Sequence, residues 1–111
     1  QKKDNEYLFS SFSDFEFNFR ENPTNQTAVV GDAVSMSCVP PFSFPVQVTI
    51  NWFHNYQLIT PGGRITIDNS GTITFTSIAK SDEGSYFCDA TNSVLHATRT
   101  SSVAFVAVYG E

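Results

Sequence analysis

Basic residues are scarce in this chain. Six Lys and Arg stand against eleven Asp and Glu, a formal net charge of -5 over 111 residues. A nucleic-acid binder needs a basic face, and this composition does not supply one. Charged residues of both signs make up only 15%, too few for a disordered acidic or basic tail. Cysteine occurs twice, and Met and Trp once each. Neither Cys38 nor Cys88 has a CxxC partner, so these residues do not supply a four-ligand zinc site. No apolar run approaches the ~20 residues of a membrane span. No Gly-x-Ser-x-Gly elbow accompanies a histidine, and there is no phosphate loop, HExxH or dinucleotide fingerprint. The chain is therefore not expected to be an enzyme, and no cofactor is expected.

Phenylalanine, by contrast, is abundant. There are eleven, and five of them (Phe9, Phe12, Phe15, Phe17, Phe19) fall in the first nineteen residues. With 41% apolar residues, the chain has enough to bury one core, and its length fits one domain. The hydrophobic pattern is β throughout. Val34, Met36 and Cys38 alternate with serines; Val46, Val48, Ile50 and Trp52 alternate with polar residues; Ile65/Ile67 and Ile73/Phe75 flank threonines. Each run has the period-2 signature of a half-buried strand. Turn signals such as Pro61-Gly62-Gly63 and Asp82-Glu83-Gly84 separate them. Residues 78–82 hold one short helical turn at most. The expected class is all-β, a sandwich or barrel of short strands. Residues 1–14 do not alternate cleanly and read as an N-terminal extension before a domain at 15–111.

Two cysteines fifty residues apart pose a choice between one bridge and two thiols. Asn25-Gln26-Thr27 is a glycosylation sequon, whereas Asn22-Pro23-Thr24 is blocked by its proline. A sequon beside paired cysteines points to an oxidising, extracellular setting and favours the bridge. The first six residues lack the apolar stretch of a signal peptide, so the chain reads as a processed or excised piece of something larger.

Trp52 follows Cys38 by fourteen residues and shares a phase with Ile50, and Tyr86 lies two before Cys88. This Cys-Trp-Tyr-x-Cys set, with Asp82-Glu83-Gly84 ahead of the tyrosine, resembles the immunoglobulin superfamily. The likeness spans about residues 16–109. Thirty residues from Trp52 to Asp82 are too few for the extra C″ strand of an antigen-receptor variable domain, and no Phe-Gly-x-Gly follows Cys88. The I-set subclass fits better. Local sequences such as Phe19 to Pro23 and Trp52 to Asn55 are similar to N-terminal ectodomain modules of neural adhesion and guidance receptors, of the Roundabout, DCC/neogenin, Sidekick and CDO types. The resemblance implies an I-set Greek-key β-sandwich and an inter-sheet Cys38–Cys88 disulfide under Trp52. It also implies a tyrosine corner at Tyr86 and an Arg64–Asp82 pair across the bottom of the sandwich. It further implies a place at the cell surface, within a larger single-pass membrane protein, that protein being the chain's sole link to the membrane.

Strand phase then nominates a binding face. Phe53 follows Trp52 and Phe87 precedes Cys88, so both point away from the core on neighbouring strands. Tyr56 lies just past the same strand, and the segment Val103 to Tyr109 is apolar on both faces, which turns residues such as Phe105 outward. The expected role is recognition of a protein partner, another copy of the chain included, through this outer C-F-G face. An edge strand (A or G, with Phe15, Phe17 and Phe19 in strand-like alternation) is the other candidate surface. Ordinary filling of the sheet by aromatics is the competing explanation. A spacer domain in a rod, or an intracellular muscle-type module, is the alternative role. Asn25 is a candidate glycan site that would shield the A/A′ neighbourhood. His54 and His96 read as solvated, and Asp14, Glu16 and Glu21 lack the dense ligand spacing of a calcium site; no metal is expected.

Overall fold

The computed structural model describes residues 13–110. Phe9, Phe12 and most of the expected extension lie outside the described residues. The strands are β1 (Asp14–Phe15), β2 (Gln26–Val29), β3 (Val34–Met36), β4 (Ser43–Phe44), β5 (Val48–His54) and β6 (Gln57–Leu58). They continue with β7 (Ile65–Ile67), β8 (Ile73–Phe75), β9 (Gly84–Asn92), β10 (Ala97–Thr100) and β11 (Ala104–Tyr109), and one 3-10 turn covers Lys80–Asp82. The larger sheet runs β2-β11-β9-β5-β6, with β10 also on β9; the smaller runs β3-β8-β7; β1 pairs with β4 alone.

The two sheets meet over one apolar layer. Trp52, Ile73, Phe75, Cys38 and Cys88 are fully buried, with Tyr86, Met36, Val106 and Val108 beside them. Cys38 and Cys88 form the disulfide that ties the sheets, closing a span of 50 residues, which in the chain-entropy description contributes about 4 kcal/mol. Trp52 donates its indole N–H to the Gly71 carbonyl at 3.0 Å, so the one polar atom of this side chain is satisfied where water is absent. Only glycine fits at 71: a Cβ there would lie 2.2 Å from the Cys38 carbonyl oxygen.

The bottom of the sandwich is fixed by polar contacts. Tyr86 donates its hydroxyl to the Asp82 carbonyl, the corner expected from its position before Cys88. Asp82 also holds Arg64, with Nη1 to Oδ2 at 2.8 Å, and accepts the Ala79 N–H at 2.8 Å. Burial alone would raise the Asp82 pKa, but the Arg64 and Ala79 hydrogen bonds outweigh it and hold the carboxyl below its ordinary value. Burial pushes the Tyr86 phenol upward.

Four details differ from the sequence reading. Val46 is exposed and precedes the strand that starts at Val48, because the chain turns at Pro45, whose carbonyl accepts the Gln47 N–H. Phe15 and Phe19 are buried but Phe17 is 75% exposed, so the three do not share one strand face. The strand ends at Phe15, and Phe17 swings out beneath Arg99, whose guanidinium carbon lies 4.0 Å from its ring centroid. The G strand, β11, is not an edge: β2 pairs with it in parallel from Val106↔Gln26 to Tyr109↔Val29, filling its outer ladder. Finally, Thr100 opposes Asp89 and Ala104 opposes Tyr86, so residues 101–103 face only Phe87 and Cys88. The Phe-Gly-x-Gly sequence is absent, yet a β-bulge stands here. Ser101 makes it possible: its hydroxyl accepts the Cys88 N–H at 3.0 Å and donates to the Ser102 carbonyl at 2.8 Å, and its own N–H reaches the Cys88 carbonyl at 2.9 Å.

Candidate functional site

The outer face of the larger sheet carries an aromatic cluster. β5 and β9 are antiparallel with Trp52 opposite Cys88 and Phe53 opposite Phe87. Alternation buries the first pair and turns the second outward. Phe53 and Phe87 stack face to face, centroids 4.8 Å apart and planes 9° from parallel. Both are partly buried. Tyr56 leans on Phe87 at 5.4 Å and 52° and is 71% exposed.

The β5–β6 turn sets Tyr56 in place. His54 opposes Gln57, leaving Asn55 and Tyr56 as a two-residue loop with φ of 49° and 69°. Positive φ at both central positions is the I′ turn that suits strand twist. Asparagine accepts this conformation readily; for a bulky tyrosine it is uncommon. Asn55 is locked to β9: its N–H donates to the Ser85 carbonyl at 2.8 Å, and its Oδ1 accepts the Ser85 N–H at 3.0 Å. A Cβ at Gly84 would lie 2.5 Å from that Oδ1, so residue 84 has to be glycine for the turn to close against β9.

Sequence phase missed one member of the apolar strip. Leu58 opposes Phe53 on β6 and is 60% exposed; its strand is two residues long, too short for alternation to register. Val103, which shares its phase with Phe105, is exposed as that phase implies, in the bulge facing Phe87 and Cys88. Phe105 is 61% exposed but opposes Ser85, and it makes none of the ring contacts found among the described residues. It borders the cluster rather than joining it. Asn25 lies next to it: Asn25 Oδ1 accepts the Phe105 N–H at 2.8 Å, which leaves the side-chain nitrogen, the atom a glycan would use, outside this bond.

His54 is not merely solvated. Its ring lies parallel to Tyr86 at 4.4 Å, and Nε2 lies 2.9 Å from the Glu83 carbonyl, so it closes the lower end of the core. His96 is exposed, in the β9–β10 turn with φ of 54°. No group of metal-ligating side chains forms among the described residues. A cavity of about 320 Å³ opens along the side of β5, lined by Val48, Ile50, Ile59, Ile67 and Asp68 among others. Asp68 is spoken for by its own loop, accepting the Ser70 hydroxyl at 2.7 Å and the Ser70 and Thr72 N–H groups at 3.0 Å. These bonds, the Ser70 hydroxyl first, hold it below the ordinary carboxylate pKa.

Comparison with known proteins follows the same lines. The chain is 40% identical to Roundabout homolog 1 of Rattus norvegicus over 91 residues, covering 81% of the chain and 5% of that protein. It is 36% identical to Contactin-5 of Danio rerio over 74 residues, covering 67% of the chain and 7% of that protein. The chain thus spans under a tenth of the length of these relatives. Among solved structures, tandem Ig repeats of Dlar superpose with a TM-score of 0.74 at 22% identity, covering 86% of the chain and 50% of that one. A titin I-band fragment, I67-I69, gives 0.67 at 25% identity, covering 81% and 31%. Residues 18–92 match the family model described as Immunoglobulin domain, and the chain belongs to the immunoglobulin domain family.

Proposed function

We propose that this domain is a protein-recognition module in the extracellular part of a cell-surface adhesion or guidance receptor, and that it binds through the outer face of β6, β5, β9 and β11. The observation that carries this reading is the outward-facing stack of Phe53 and Phe87, both partly buried, with the exposed Tyr56 against it. The stack adds little to folding, and a cluster of aromatic rings on an outer sheet face matches the anchors found at interface cores. Similarity to Roundabout and Contactin chains supports a place on the cell surface. Among the described residues no helix is long and apolar enough to cross a membrane, so attachment is assigned to the larger parent chain. The partner is a protein, with a second copy of this domain as the first to test.

A glycan at Asn25 would sit beside Phe105 as well as along β2. Recognition is therefore assigned to the β5–β9 half of the face, with Phe105 as its rim.

The test compares the 111-residue chain with its Phe87→Lys variant. Self-association is measured by sedimentation equilibrium at micromolar concentration, and binding of domain-coated beads to cultured neurons is scored alongside. The expected result is at least a tenfold loss in one of the two, with the melting curve retained. Equal binding by both proteins would overturn the proposed face, and no binding by either would favour a spacer role.

A further inference from the structure

Asp89 lies on the same outer face, two residues beyond Phe87 on β9 and opposite Asn51 on β5. Residues at that spacing stand about 6.6 Å apart along a strand. Among the outward positions of β5, β9 and β11 it is the sole charged residue. Its Oδ1 is buried without a hydrogen-bond partner, the one such side-chain atom found among the described residues. The residue as a whole is only partly covered, so a binding molecule would meet its exposed part and reach the buried oxygen after a turn of the side chain. Desolvation raises its pKa, and the hydrogen bond from the Asn51 side chain opposes this only in part.

No cation of the described chain meets this carboxylate. Arg64 is paired with Asp82. Lys80 is paired with Glu83 and donates to the Val108 carbonyl. Arg20 donates to the Pro40 carbonyl, and Arg99 to the carbonyls of Phe15 and Glu16. An acidic group stripped of part of its water and left without a counter-charge costs free energy. That cost is recovered when a binding partner supplies the missing charge.

The aromatic neighbours narrow the choice of cation. Arg20 places its guanidinium carbon 4.3 Å above the Phe42 ring while its Nε donates to a carbonyl at 2.8 Å. Arg99 lies 4.0 Å from the Phe17 ring while its Nη2 donates to a carbonyl at 2.8 Å. A planar guanidinium satisfies a ring and an oxygen at once, which a compact ammonium does less well. The outer face repeats the pair of requirements with its own ring stack and its own oxygen acceptor. We propose that Asp89 and the Phe53–Phe87 stack form a receptor for an arginine side chain projecting from the apolar surface of a protein partner. This deepens the recognition role proposed for the face and rests on it.

The probe is N-acetyl-arginine amide, titrated into the isotope-labelled 111-residue chain and followed by amide and side-chain NMR shifts. The uncharged citrulline analogue serves as control. Shifts centred on Phe53, Phe87 and Asp89 are expected, with the arginine probe at least about threefold the tighter, as a surface cation–ring contact implies. Asp89→Asn keeps the shape of the side chain, and it is expected to abolish that difference while its melting curve shows an intact fold. Shifts that centre on other acids, or that survive Asp89→Asn, would overturn the proposal. The two readings fail separately. If Phe87→Lys removes partner binding but the arginine probe finds no site, the face stands and the arginine receptor falls. If the probe binds as expected but Phe87→Lys leaves partner binding unchanged, the recognition role falls.

Discussion

Tyr86 and Phe87 are neighbours on β9, yet they answer to different constraints. Tyr86 is 1% exposed, edge-on to Phe75 at 5.8 Å, parallel to His54, and its hydroxyl is bonded to Asp82. Its partners come from the other sheet (Phe75), from its own sheet (His54) and from the adjoining turn (Asp82). Phe87 makes contacts just as ordered, with Phe53 and Tyr56, but only from its own sheet. The inner face is a closed layer that specifies the fold. The outer face is a layer with one side present. Order without a cover separates this outer layer from the core, and substitutions on the two faces are therefore expected to have different consequences.

The largest effect is expected on the inner face. Trp52→Ala removes a fully buried indole and leaves the Gly71 carbonyl without its donor. A loss of about 3–5 kcal/mol follows from cavity formation, a large part of what a domain of this size has. Urea denaturation with fluorescence replaced by circular dichroism reads it directly. An effect under about 1 kcal/mol would show that the layer repacks freely, and the contrast between the faces would lose its basis.

Next comes the pair at the base. Arg64→Ala leaves a buried carboxylate facing an empty place. The arginine end is 42% exposed, so solvent screening reduces the cost from that of a fully buried pair to about 2 kcal/mol. The pH dependence carries the sign. Asp82 has a lowered pKa in the folded state. Its stabilising contribution is complete above the ordinary carboxylate range and is lost as pH falls through the folded value. Wild-type stability should therefore decline in acid, and Asp82→Asn should remove part of that slope in thermal melts taken from pH 7 downward.

Much of this inner face is legible in the sequence. Cys38, Trp52, Tyr86 and Cys88 are bound to positions by alternation and by the chemistry of the layer, so period and spacing find them. The outward pairing of Phe53 with Phe87 is legible for the same reason, since each follows or precedes a core residue. What alternation cannot carry is irregular backbone. The Ser101–Val103 bulge, the left-handed turn at Asn55 and Tyr56 and the break after Phe15 all depend on contacts between residues far apart in the chain. Leu58 and the exposure of Phe17 went with them. The state of Asp89 was also hidden: a lone acid in a strand reads as a solvated residue, and burial of one oxygen is a property of the assembled sheet.

On the outer face, Phe87→Lys is expected to cost stability by no more than about 1 kcal/mol, the worth of an aromatic pair beyond its area. Chemical denaturation of the variant beside Trp52→Ala places the two faces on one scale. If Phe87→Lys unfolds the domain as thoroughly as Trp52→Ala does, the stack is core, and its exposure is incidental.

The smallest effect has the opposite sign, and it tests the comparison most sharply. Asp89 has a raised pKa in the folded state, caused by burial. Between the ordinary carboxylate value and the raised one, the folded chain binds more protons than the unfolded chain. Stability due to this group therefore falls as pH rises through that window, and at neutral pH the ionised carboxylate is a net cost. Asp89→Asn removes the charge while keeping the shape. Because the group is partly open to solvent, the cost is screened, and a gain of roughly 0.5 kcal/mol, or about 2 °C in Tm, is the expected size for a domain this small. Calorimetric melts of both proteins at pH 4, 5.5 and 7 would show the gap opening as pH rises. A gap that stays constant, or a variant that melts lower at every pH, would mean that Asp89 supports the fold; its retention would then need no partner. A gap that opens as expected would mark a residue that lowers stability exactly where the aromatic stack faces solvent, the trade expected of a site kept for binding.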